Sequence, residues 1–248
     1  MDKPFVLVTG ASSGIGRQIC IRLSEWYNVV LSGRDEERLL RVQQACHATS
    51  QSFIWKTDLN DLEALEGQLT SFIQERGIQI EYLVHCAGFM KMLPVKMTTV
   101  EHFYQTFNTN VFAAHFLSKV LTNKKANGAV LKSAVFISSN ISNMGAKAMS
   151  AYGASKGALD SLMRCLAIEL APKVRVNSVL PGAVLTEMTD SIFEDEGVAE
   201  RMRASYPLGF GEPNDIYEMV AFLLSDKSKW ITGQQFIVDG GRTVNVSG

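Results

Sequence analysis

Phe5–Val6–Leu7–Val8–Thr9–Gly10–Ala11–Ser12–Ser13–Gly14–Ile15–Gly16 is the stretch that decides the fold. Its first part is a short apolar run ending at a glycine turn, which suits a strand buried on both faces of a parallel sheet. Its second part reads as that strand turning tightly into the amphipathic helix Ile15–Trp26. Gly10 permits the turn, Gly14 lets backbone approach a diphosphate, and Gly16 allows close packing of helix and strand. The N–H groups of Ser12, Ser13, Gly14, Ile15 and Gly16, at the start of the helix, would hold phosphate oxygens. Glycines are common in loops; the position between strand and helix is what makes these three informative.

A second motif, Tyr152–Gly153–Ala154–Ser155–Lys156, lies in the helical pattern Ala151–Ala171. A tyrosine and a lysine four residues apart share one face of a helix, one turn apart. A neighbouring ammonium favours the phenolate, which predicts a lowered tyrosine pKa and a phenol able to exchange protons near neutral pH. Ser139 lies thirteen residues upstream, after the apolar run Ala134–Ile137. Ser138 and Ser139 end an extended strand and point to opposite faces, so only one of them can face the tyrosine; the spacing selects Ser139.

The glycine turn, Asn110, Ser139, Tyr152 and Lys156 together resemble the short-chain dehydrogenase/reductase family, across nearly the whole chain. The three residues between Gly10 and Gly14 are similar to its compact, single-domain branch. The resemblance implies one domain over residues 1–248, a doubly wound α/β Rossmann fold, and a mostly parallel seven-stranded sheet with helices on both faces. It implies hydride transfer between a nicotinamide and a ketone or secondary alcohol. Tyr152 would protonate the oxygen, Ser139 would position it, Lys156 would tune the tyrosine and hold the ribose, and Asn110 would hold a water. It also implies a homotetramer or dimer.

The remaining elements read in order. Val29–Ser32 is a second strand ending at Gly33–Arg34, before the helix Glu36–Cys46. This strand end meets the adenosine ribose in dinucleotide folds. Relatives that prefer NAD carry aspartate where Gly33 stands, and Arg34 can pair with a 2′-phosphate, so NADP(H) is expected over NAD(H). The other reading of Arg34 is a solvated residue beside Asp35, the helix cap. Ser52–Lys56 is the third strand. Asp58 resembles the family's adenine-contacting aspartate, with Leu59 beside it. Tyr82–His85 leads to Cys86–Ala87–Gly88, where the family usually has asparagine, alanine and glycine. Cys86 therefore removes a side chain that normally orders the central strand, while Ala87 and Gly88 still let backbone pass close to the cofactor.

Val100–Leu121 reads as one long helix containing Asn110, a poor mid-helix residue. Arg175–Leu180 ends at Pro181–Gly182, and Val184 and Thr186 match family positions that bind the carboxamide. Residues 186–210 lie where relatives keep a substrate lid. Pro213–Leu224 is helical and Gln235–Val238 is the last strand. The tail Trp230–Gln234 and Val238–Gly241 is similar to 3-oxoacyl-(acyl carrier protein) reductase-like members, but Phe89–Met90–Lys91–Met92 departs from them. Sugar and polyketide reductases share that tail. Met90, Met92, Met144, Met149 and Met188 predict an adaptable apolar pocket, with Lys147 near an anionic substrate group or solvated.

Composition excludes other classes. The 248 residues are 46% hydrophobic and 20% charged with net charge −1, ordinary for a globular protein and unlike one with a nucleic-acid or membrane surface. The four cysteines form no C-x-x-C pair and read as buried free thiols in a reducing compartment. The four histidines show no metal-ligand spacing, and no G-x-S-x-G elbow is present. The N-terminal apolar run has strand length rather than signal-peptide length, so a cytoplasmic protein is expected. An epimerase or dehydratase is disfavoured by chain length and glycine spacing. A sensor that lost its chemistry is disfavoured because Ser139, Tyr152 and Lys156 are all present.

Overall fold

The computed structural model describes residues 3–187 and 196–246. Seven parallel strands stand in the order β3-β2-β1-β4-β5-β6-β7. They are β1 (Phe5–Thr9), β2 (Asn28–Gly33), β3 (Ser52–Lys56), β4 (Ile80–His85), β5 (Ser133–Ile137), β6 (Arg175–Pro181) and β7 (Gln235–Val238). The order reverses between β1 and β4, and in open α/β sheets the crevice at that reversal binds ligands.

Side chains alternate across the sheet. Val6 and Val8 of β1 pack with Val29 and Leu31 against α1 (Gly14–Leu23), α2 (Glu36–Ala45) and the late helix Pro213–Leu224. Leu7, Val30, Leu83 and Phe136 pack on the other face with α3 (Leu62–Arg76) and helices from the middle of the chain. Two separate cores result, as a doubly wound fold requires.

The long pattern 100–121 is not one α-helix. It divides into α4 (Val100–Phe107), a π-turn at Asn108–Phe112 and α5 (Ala113–Thr122), followed by the short α6 (Lys124–Asn127). Asn110 lies inside the π-turn, where the widened backbone turns its side chain into the core. Further helices are α7 (Ser150–Glu169), α8 (Glu196–Ala204) and α9 (Pro213–Leu224). The expected lid is described only in part: its residues 188–195 lie outside the described residues. Cys20 is buried, but Cys165 is exposed on α7, contrary to the expectation of four buried thiols. No helix among the described residues is long and apolar enough to cross a membrane.

Candidate active site

The β1–α1 turn is built by close approach. Gly10 has a φ of +68°, and a Cβ there would lie 2.8 Å from the backbone of Ala87. A Cβ on Gly16 would lie 2.1 Å from the Gly10 carbonyl oxygen, so only glycine lets helix and strand meet this way. Ser13 is the N-cap of α1, yet its side chain makes no capping bond, and the first turn holds no acidic residue. Ser12, Ser13, Gly14, Ile15 and Gly16 line a cavity of about 650 Å³. That volume suits a bound small molecule or cofactor.

The same cavity reaches the ends of β2 and β3. Gly33, Arg34, Asp58 and Leu59 line it. Asp35 caps α2 by accepting the Arg38 N–H at 3.0 Å. It also pairs with the Arg38 guanidinium at 3.3 Å. Arg38 lines the cavity too and was not anticipated; its place in the first turn of α2, shortly after Arg34, was the available signal.

Asn110, Ser139, Tyr152 and Lys156 converge at the other end, though 46 residues of sequence separate the first from the last. Asn110 is buried and does not line the cavity directly. Its Oδ1 accepts the Phe89 N–H at 2.7 Å, and its amide donates to the Phe89 carbonyl at 3.2 Å and to the Ser155 hydroxyl at 2.9 Å. Asn110 thereby ties the loop after β4 to α7. Ser139 accepts the Ile141 N–H at 3.2 Å and neighbours the Tyr152 phenol closely enough to act on its pKa. Ser138 turns away and donates to the Lys156 carbonyl at 3.3 Å. The Lys156 ammonium donates to the Ile137 carbonyl at 2.8 Å and stands 5.7 Å from the centre of the Tyr152 ring.

The expected electrostatic effect on the tyrosine is not what this arrangement produces. Burial pushes the Tyr152 phenol up to about 12, against a lowering by the Ser139 hydrogen bond. Burial also brings Lys156 down to about 8, with Cys86 and Asp160 opposing. Withdrawal from water disfavours both charged forms and is the largest cause of both shifts. The phenol is therefore held in its protonated, hydrogen-donating form.

Cys86 leaves no gap in the central strands, because the residue before it does the ordering. His85 is buried, with Nδ1 3.0 Å from the Thr9 hydroxyl and Nε2 3.2 Å from the Thr109 carbonyl. A carbonyl can only accept, so Nε2 carries the proton and Nδ1 accepts from Thr9. Thr9 in turn accepts the Ala87 N–H at 3.1 Å. Burial, helped by the Lys156 charge, lowers His85 to about 3 and keeps the ring neutral.

The rest of the wall is mostly apolar. Ala87, Gly88, Phe89, Met90, Met149 and Met202 line it, with Pro181, Gly182, Val184 and Thr186 opposite. Tyr206 lines it as well and accepts the Ala183 N–H at 3.0 Å, bracing the turn after β6. Three expected pocket methionines are elsewhere or undescribed. Met144 meets the Thr243 hydroxyl at 3.9 Å outside the lining, Met92 is half exposed, and Met188 lies outside the described residues. Lys147 is exposed and does not line the cavity. Glu187, which sequence reasoning passed over, does line it.

A family model described as enoyl-(acyl carrier protein) reductase matches residues 10–243. The chain belongs to the short-chain dehydrogenase/reductase family. It is similar to the carbonyl reductase [NADPH] 2 of Sus scrofa, 34% identical over 95% of this chain and 94% of that protein. Its fold matches a 4-hydroxyisoleucine dehydrogenase complexed with NADH at a TM-score of 0.91, 26% identical over 98% of this chain and 100% of the other. A short-chain dehydrogenase/reductase of Brucella melitensis, a glucose/ribitol dehydrogenase, matches at a TM-score of 0.88. It is 30% identical over 98% of this chain and 97% of the other. As a member of this family the chain is an oxidoreductase that acts on alcohol or carbonyl substrates with a pyridine nucleotide.

Proposed function

We propose that residues 1–248 act as one catalytic unit, an NADP(H)-dependent reductase of apolar ketones working reversibly on the matching secondary alcohols. The observation that carries this reading is the convergence of Ser139, Tyr152 and Lys156 on one mostly apolar cavity continuous with the glycine turn. The places where a Cβ on Gly10 or Gly16 would collide are the kind of tight backbone that a diphosphate cradle needs, so the residues present fit a dinucleotide. Arg34 and Arg38 at the end of β2, with glycine rather than an acid at position 33, favour a 2′-phosphate.

When bound, the nicotinamide supplies the hydride chemistry. Ser139 Oγ hydrogen-bonds the substrate oxygen and orients it toward Tyr152. Tyr152 Oη gives its proton to that oxygen as negative charge develops there. The raised phenol pKa keeps this proton in place until it is needed. The Lys156 ammonium stands beside the phenol and stabilises the phenolate left behind. Asn110 holds the Phe89 loop and α7 in register, so that Lys156 stays over the Ile137 carbonyl.

Phe89, Met90, Met149 and Met202 favour an adaptable apolar substrate over a free sugar. The likeness to the Brucella glucose/ribitol dehydrogenase favours a second reading, a polyol or sugar substrate. The exposed apolar residues Val100 and Tyr104 on α4 and Phe112 in the π-turn support assembly as a dimer or tetramer. The test is NADPH oxidation followed at the nicotinamide absorbance, against a panel of bulky ketones, 3-oxoacyl thioesters and ketoses. Tyr152→Phe should abolish turnover of every accepted substrate while nucleotide still binds. Substantial turnover by that variant would reject the assignment.

A further inference from the structure

The start of α1 has no capping side chain of its own: Ser13 makes no capping bond and the first turn carries no acid. The anion that serves this helix end comes from 173 residues downstream, as the Gly14 N–H donates to Glu187 Oε2 at 3.0 Å. The other carboxylate oxygen, Oε1, pairs with the Arg17 guanidinium at 3.2 Å. A Cβ on Gly14 would press on the Thr186 methyl group at 3.1 Å and meet Glu187 Oε2 in ordinary contact at 3.7 Å. Glu187, Gly14 and the rest of the glycine turn all line the one cavity.

A carboxylate at a helix N-terminus uses the same donors, and the same end of the helix dipole, that attract a phosphate. One N–H pointing at one place cannot fully serve both. From this we infer that Glu187 is an internal competitor for the diphosphate of the nucleotide, holding Gly14 and Arg17 until the nucleotide displaces it. The inference rests on the reading of residues 10–16 as a diphosphate cradle. The carboxylate is 43% exposed and its guanidinium partner 49%, so the contact is weak enough to yield to a ligand. Glu187 thus lowers nucleotide affinity and, by returning to Gly14, speeds release of the spent cofactor.

The test is titration of wild type and Glu187→Gln with NADPH and, separately, with NADH, read by calorimetry. Glutamine keeps a neutral oxygen for the Gly14 N–H and removes the charge. The dissociation constants of both nucleotides should fall about three- to fivefold, the scale of one partly exposed charge at a helix terminus. The difference should shrink at about 0.5 M salt, where exposed charges are screened. Melting curves without nucleotide establish that the variant is folded. Unchanged or weaker binding of both nucleotides overturns the inference. Tighter binding of NADPH alone also overturns it, because it would put the charge beside the 2′-phosphate instead of the diphosphate. If wild type binds neither nucleotide saturably, the nucleotide reading itself fails, and this inference with it.

Discussion

The Nδ1 of His85 lies 3.0 Å from the hydroxyl of Thr9 and joins the two central strands where the sheet order reverses. The bond ties the ends of β1 and β4 together immediately before Cys86. It also places a buried, neutral imidazole beneath the candidate site, linked to the carbonyl of Thr109 in the π-turn that presents Asn110.

That histidine makes stability depend on acid. The folded-state pKa is about 3 and the ordinary value is 6.5. Between those values the unfolded chain binds a proton that the folded chain refuses, so the contribution of His85 is complete above about pH 6.5 and lost as pH falls toward 3. Each pH unit in that window removes about 1.4 kcal/mol for one proton. Denaturant unfolding from pH 7 to 4.5 should show a steeper loss for wild type than for His85→Gln, which cannot titrate. Parallel slopes for the two proteins would contradict this account.

Lys156 sets a limb in the activity profile. Its pKa, brought down to about 8, means the ammonium is lost as pH rises through that value, while Tyr152 at about 12 stays protonated. The kcat/KM for carbonyl reduction should therefore fall above about pH 8 because the cation beside the phenol disappears, before the phenol itself titrates. A profile level from pH 7 to 10 would exclude Lys156 as the titrating group.

Arg34 should set the choice of nucleotide. Arg34→Ala should weaken NADPH about tenfold and leave NADH nearly unchanged, the size of a charge-assisted contact discounted for exposure. Arg38→Ala should have the smaller effect, since Asp35 already shares its charge. Gly33→Asp tests the same site from the other side. A Cβ there meets nothing closer than 3.4 Å, so the aspartate fits and should shift preference toward NADH. Equal losses for both nucleotides in Arg34→Ala would remove Arg34 from the 2′-phosphate.

Met149 and Met202 should shape substrate preference. Truncating either to alanine should lower kcat/KM for bulky apolar ketones about tenfold, the order of a few buried methylenes, with little change for small polar carbonyls. If free ketoses prove the better substrates and both variants are silent, the polyol reading replaces the apolar one.

The parts of the site legible in sequence were those whose function depends on local spacing. Gly10, Gly14 and Gly16 lie within one turn of chain, and Tyr152 and Lys156 within one turn of helix, so the periodicity of strand and helix places them before any tertiary contact forms. Asn110 was legible as a misfit in its helix, but its π-turn was not. That geometry follows from the bonds to Phe89 and Ser155, which come from other elements. The substrate side was the least legible. Met90 and Met149 line the cavity, whereas Met144 packs toward Thr243, because direction within a loop depends on what the loop rests against.

By itself, then, the sequence marked the strand–turn–helix unit at residues 5–16 and put Tyr152 and Lys156 on one helix face, since both depend on residue types at short, regular intervals, and the doubly wound fold was implied by the family resemblance that these motifs carry. Only the tertiary structure decided the charge state of that pair, because burial is a property of the assembled core, and it raised the phenol where the lysine alone would have lowered it. It likewise decided the partners separated by long stretches of chain. His85 meets Thr9 across 76 residues and Glu187 meets Gly14 across 173, and no local pattern records a contact that exists only once the sheet has closed its order around β1 and β4.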